Sequence, residues 1–210
     1  MFDVNNPSAG LVGWGDAQTG APAFLQHRLV GTGTHAFIID YPDGSHHDIA
    51  RVFESDMRVS NDLWTNYLTA KKYNFFLYEI IGVTPEEVAH AMDKCKRKFL
   101  GDSYGYTEWL YFPYAMLCRK LPFVKDIRKQ SNWFKNWLVA GVICTELWYW
   151  FMWYITELHP ERWNKLRAIL DQWSPDVLTA NDVMHILQQN TDLFRLVFSY
   201  MNEEPKIETT

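Results

Sequence analysis

Residues 137–156, WLVAGVICTELWYWFMWYIT, carry one formal charge, Glu146, and are bracketed by Lys135 and Glu157. An apolar run of about 20 residues either crosses a bilayer or becomes a deeply buried helix of a core. Two features argue for the core. A carboxylate near mid-span is costly in hydrocarbon. Trp148, Trp150 and Trp153 fall inside the run, whereas membrane helices gather tryptophan at the two interfaces. An integral membrane protein built on this run is the weaker alternative, and peripheral membrane contact is favoured over insertion. The 210 residues suffice for one core, so one domain is expected over 1–200, with a disordered polar tail at 201–210. Ten tryptophans and 16% aromatic residues imply a large buried aromatic mass, or a surface that meets lipid or a partner.

The net charge is −5 and no stretch is strongly basic, which argues against a nucleic-acid partner. Cys95, Cys118 and Cys144 are odd in number and lack metal-type spacing. They form neither a disulfide framework nor a zinc motif, and no cofactor is implied. The start, MFDVNNPSAG, has no basic segment followed by an apolar run. No secretory signal is read there, and the expected location is cytoplasm or a virion.

Turn and strand signals dominate the first half. WGDAQTGAP reads as turn-rich, with Gly13, Gly15, Gly20 and Pro22 as punctuation. THAFIIDY reads as a strand, Asp43-Gly44 as a hairpin turn and IARVFES as the returning strand. This hairpin carries His35 at one end and Glu54 near the other. A third strand is expected at Tyr73 to Ile80. Helical signals dominate the second half. Thr84, Pro85 and Glu87 form a capping box ahead of an apolar stripe of Val88, Ala91, Met92, Cys95 and Phe99, stopped by Gly101. Cys95 on that stripe reads as core. A further helix is expected from Cys144, and another after Thr179 with Asp182 in its first turn.

Most cysteines are buried and structural. Cys144 has a more reactive setting, because a glycine-containing approach precedes it and a helix starts at or beside it. A thiol there faces the positive end of the helix dipole, which favours thiolate. Thr145 and Glu146 add capping chemistry and negative charge to the first turn. Trp148, Phe151 and Ile155 continue the Cys144 face as a packed anchor. A thiolate nucleophile needs a base, usually histidine, oriented by a third polar group. His90 and His185 read as solvated helix surface, His159 as part of a helix-ending turn, and His46 and His47 as exposed in the hairpin turn. His35, after the small residues GTGT, has the most site-like setting of the seven histidines.

Taken in chain order, WGD, GTGTHAFIIDYPDG, VFES, FLGDSYGY, VICTELWYW and SPDVLTANDV form a pattern over about residues 13–185. It resembles the circularly permuted branch of the NlpC-like, papain-like cysteine hydrolases, especially the YiiX-like members. The resemblance implies an α+β permuted papain-like fold, with a small antiparallel sheet packed against helices and the nucleophile at a helix N-terminus. It implies Cys144 as nucleophile, His35 as general base and Glu54 as the orienting residue, with His47 as the fallback for that last role. Tyr104 and Tyr106 match a tyrosine element near the cysteine, and Asp16 matches a Gly-Asp element of mainly structural character. These three stand as candidate substrate-binding residues. The segments AQTGAP and LCRKLPFVKDIRKQSNWFKN depart from the family pattern.

The expected activity is a thiol hydrolase cleaving an amide bond, in a cell-wall peptide or in an acyl or lipid amide. Two alternatives stand beside it. One is a non-catalytic structural or binding protein, such as a virion or envelope component, that keeps the fold. The other is a lipid acyltransferase or thioesterase-like activity at a membrane surface, as in the related lecithin–retinol acyltransferase. The oligomeric state is not legible.

Overall fold

A computed structural model describes residues 7–17, 35–41, 50–55, 59–69, 73–102, 144–173 and 178–201, together with Asp3 and Pro175. Within them the chain is α+β, with one antiparallel sheet of six strands and five helices. The strands are β1 (Val12–Ala17), β2 (His35–Asp40), β3 (Arg51–Ser55), β4 (Val59–Leu63), β5 (Tyr73–Ile80) and β6 (Phe194–Tyr200). Their order across the sheet is β4-β3-β2-β1-β5-β6. The helices are α1 (Trp64–Thr69), α2 (Pro85–Phe99), α3 (Cys144–Leu158), α4 (Asn164–Leu170) and α5 (Ala180–Gln189).

β2 lies in the middle of this sheet, and that explains its unbroken apolar run. Side chains alternate between faces along a strand. Ala36 and Ile38 enter the cluster beneath the helices, while Phe37 and Ile39 enter a second cluster with Leu11, Trp64 and Phe75. Both faces of β2 are therefore covered, and no polar alternation remains.

β1 corrects the reading of Gly13 and Gly15 as turn residues. Both lie inside a strand paired with β2 and β5. A Cβ on Gly13 would come within 2.4 Å of the Phe37 ring, so the glycine makes room for that ring. β6 is a second departure, because it returns the mainly helical second half to the edge of the sheet. The hairpin turn at Asp43-Gly44 lies outside the described residues.

α2 starts as its sequence demands. The Thr84 side chain accepts from the Glu87 N–H, and the Glu87 carboxylate accepts from the Thr84 N–H. The whole expected stripe from Val88 to Phe99 is buried. The helix ends at Phe99, and Gly101 follows with φ of 91°. Glu87 is 0% exposed and also accepts from Trp163 Nε1 at 2.8 Å, with Arg162 at 3.4 Å. Burial raises its pKa, but the bonds from Trp163 and Thr84 and the Arg162 charge outweigh burial, so the carboxyl sits below its ordinary 4.5.

Glu87→Ala is expected to cost about 2 kcal/mol or more, since it removes a cap and orphans a buried indole N–H. A lowered pKa stabilises the fold above the ordinary value, and that contribution is lost as pH falls through the folded-state value. Denaturant titrations should show the deficit at pH 7 and its shrinkage in acid. A deficit constant down to strong acid would contradict this account.

α3 packs antiparallel to α2. Lys98 of α2 lies over the Trp150 ring, and His90 near the other end of α2 bonds Glu157. His90 is thus engaged rather than simply solvated, whereas His185 and His159 are exposed. Leu147, Trp148, Phe151, Met152 and Ile155 are at most 1% exposed and join the cluster that includes Ala36, Ile38 and Phe53. The described part of the apolar run therefore lies within a 15-residue core helix. No helix among the described residues is long and apolar enough to cross a membrane.

Candidate active site

Three elements supply the candidate residues. His35 is the first residue of β2, Glu54 lies next to the end of β3, and Cys144 is the first residue of α3. β2 and β3 are antiparallel, with Phe37 opposite Glu54. The start of β2 and the end of β3 therefore meet at one edge of the hairpin. His35 Nε2 lies 2.6 Å from Glu54 Oε2. The side chains are 12% and 6% exposed, so the contact is largely shielded from water. With Nε2 engaged, Nδ1 is the ring nitrogen left for a second partner.

That partner is Cys144, which is hydrogen-bonded to His35 through its side chain. The thiol residue is 6% exposed. Burial lowers the His35 pKa and is the largest single influence. The charge and hydrogen bond of Cys144, then the hydrogen bond and charge of Glu54, raise it, and together they prevail. His35 is held well above its ordinary 6.5. The imidazole thus faces a carboxylate on one side and the cysteine sulfur on the other, and both favour its protonated form. The arrangement can store an imidazolium beside a sulfur nucleophile.

The first turn of α3 is anchored directly after the cysteine. Thr145 Oγ1 donates to the Leu178 carbonyl at 2.6 Å, tying Cys144 to the segment that caps α5. Glu146 is buried at 6% exposure, so the charge in the run belongs to this first turn and not to a solvated face. Backbone N–H groups at a helix start have no intrahelical acceptor and are free to hold a developing oxyanion.

Two further residues shape the site. Gly15 stands opposite His35, and Gly13 stands opposite Phe37. The Phe37 ring stacks beside His35 at 6.3 Å between centroids and 24° between planes, and meets Phe75 edge-on at 6.2 Å. The sequence signal was present, since glycines two apart share one face of a strand. Turn assignment hid it.

Gly13→Ala is expected to displace the Phe37 ring and with it the imidazole. The overpacking should cost about 1–3 kcal/mol. Alkylation of Cys144 should slow in the folded variant, measured by mass spectrometry under native conditions. An unchanged rate would remove Phe37 from the positioning of His35.

Of the sequence-level candidates, the structure brings together His35, Glu54 and Cys144. Asp16 is in β1, where it stands opposite Asn74 of β5. Tyr104, Tyr106 and His47 lie outside the described residues. No family model matches the chain, and comparison with curated proteins finds no match either.

Proposed function

We propose that the protein is a thiol hydrolase acting on an acyl carbonyl, with Cys144 as nucleophile, His35 as general acid and base, and Glu54 as the orienting carboxylate. The observation that carries this reading is His35 bonded on one side to Glu54 at 2.6 Å and on the other to Cys144. The reading also rests on the resemblance to permuted NlpC-like hydrolases, whose permuted papain-like fold would place a cysteine at a helix start beside a histidine on a strand.

The chemistry follows from the positions. His35 takes the proton of the Cys144 thiol at Nδ1. The sulfur attacks the carbonyl carbon of an amide or ester, and the carbonyl electrons move to oxygen. The first N–H groups of α3 receive that oxyanion. Collapse breaks the bond to the amine or alcohol, which leaves with the proton from His35. Water then attacks the thioester while His35 takes its proton, releasing the acid and the thiolate. Glu54 holds Nε2–H throughout, fixing the ring and stabilising its positive charge.

Activated acyl esters and anilides test the reading. Wild-type protein should release one chromophore per chain in a burst and carry the acyl group on Cys144, located by peptide mass spectrometry. Cys144→Ala should show neither. Absence of any acyl adduct on wild-type Cys144 across a panel of peptide-like and fatty acyl donors would refute the hydrolase.

A further inference from the structure

The geometry points to a second binding site, at the far end of β2 from His35, for an uncharged molecule that carries an amide on an apolar body. A cavity of about 590 Å³ opens there, bounded by the segment leading into β1, the ends of β2 and β5 and the first turns of α2. None of His35, Glu54 and Cys144 lines it. Six residues of strand, roughly 17 Å, separate its floor from the candidate active site.

Asp40 ends β2 and is 2% exposed. Its Oδ2 receives Lys96 Nζ at 2.7 Å and Asn61 Nδ2 at 2.7 Å. Its Oδ1 has no hydrogen-bond donor among the described residues and belongs to a side chain that lines the cavity. An accessible carboxylate oxygen on the cavity wall can accept a ligand N–H, and a hydrogen bond to a charged acceptor is among the stronger ones. Beside it, Lys96 is 24% exposed and commits one of its three N–H groups to Asp40. One acceptor and one donor thus stand side by side, the complement of a ligand's adjacent N–H and C=O.

Charge balance selects an uncharged ligand. Each carboxylate on the wall has its own cation: Asp40 has Lys96, Glu79 has Arg195 and Asp93 has Arg97. The start of α2 is no anion site, because Glu87 accepts from the Thr84 N–H and Thr84 Oγ1 from the Glu87 N–H. Leu11, Ile80, Val88 and Met92 supply the apolar surface for a carbon chain. The volume falls within the range of small-molecule pockets.

Hexanamide, hexylamine and hexanoate, three probes of one length, distinguish the possibilities when titrated into the full chain by protein NMR. Hexanamide should shift resonances around Asp40 and Lys96 and bind at least about tenfold more tightly than either charged probe. Ala89 is exposed and lines the cavity, so Ala89→Trp should fill the space without disturbing the core and abolish binding. Lys96→Met should weaken hexanamide about tenfold. Should Lys96→Met fail to fold, Ala89→Trp carries the test alone. The site is overturned if Ala89→Trp binds hexanamide as the wild type does. It is equally overturned if a charged probe binds as tightly, or if hexanamide causes no shift up to its solubility limit. Iodoacetamide reactivity of Cys144 is independent of all these outcomes, so failure here leaves the hydrolase proposal standing.

Discussion

Replacing His35 with asparagine is expected to slow iodoacetamide alkylation of Cys144 about a hundredfold at pH 6. A free thiol ionises near pH ~8.5, so at pH 6 less than about 1% of it is thiolate. In the wild type, His35 holds its proton well above 6.5, chiefly through Cys144 and then Glu54, and against the opposing effect of burial. That retained positive charge stands beside the sulfur and favours its attack on an electrophile. Asparagine keeps a polar side chain in place but cannot carry the charge. The rate difference should therefore close as pH rises beyond about 8.5. Acyl hydrolysis should fall by about 10²–10⁴, the usual loss for a general acid–base.

The same histidine makes a prediction about stability. A folded-state pKa raised above the ordinary value contributes stability in full below that ordinary value. The contribution disappears as pH climbs through the raised one. The stability advantage of wild type over His35→Asn should thus be largest in mild acid and shrink in alkali. Superimposable alkylation profiles for the two proteins would sink the charged-pair interpretation.

Trp148→Ala is expected to cost about 3–5 kcal/mol. Trp148 is 0% exposed, one turn beyond Cys144, and sits in the cluster that joins α3 to the sheet. Alanine leaves a cavity that neighbours from two layers would have to close. For a chain of this size the melting temperature should drop by roughly 10 °C. Trp148→Phe provides the contrast. The indole N–H is buried without an acceptor among the described residues, so phenylalanine keeps much of the ring while removing that group. Calorimetry of the two variants separates cavity from polar effects. A loss below about 1 kcal/mol for alanine would mean that Trp148 does not anchor the helix.

The elements legible in the sequence are those with a local mechanism. The capping boxes at Thr84 and Thr179 fix their helix starts within a few residues, and both are present in the structure. β2, β3 and β5 announce themselves by apolar, strand-favouring residues. β1 was hidden because Gly13 and Gly15 weaken strand propensity, and the reason for Gly13, the Phe37 ring on the neighbouring strand, is tertiary. β4 and β6 are the two edges of the sheet. An edge strand pairs on one side only, so VSNDL and FRLVFSY carry weaker patterns than a central strand. α1 has only six residues, too few for a periodic signature.

At the site, the types of His35, Glu54 and Cys144 pointed to thiol chemistry, and the hairpin suggested that two of them could meet. Nothing local shows that the start of α3 should reach the start of β2. That approach is made by the Thr145 anchor and the buried stripe below it, and these become visible only in three dimensions.

The wide separation of the three residues along the chain also bears on when reactivity appears. His35 and Glu54 are 19 positions apart and meet through a hairpin that can close early. Cys144 joins them only after more than a hundred residues have been drawn together, a slow and late event for an antiparallel topology. A nascent or partly folded chain would therefore hold a complete base and an inert thiol. Rapid alkylation of Cys144 would be a readout of finished folding as well as of chemistry.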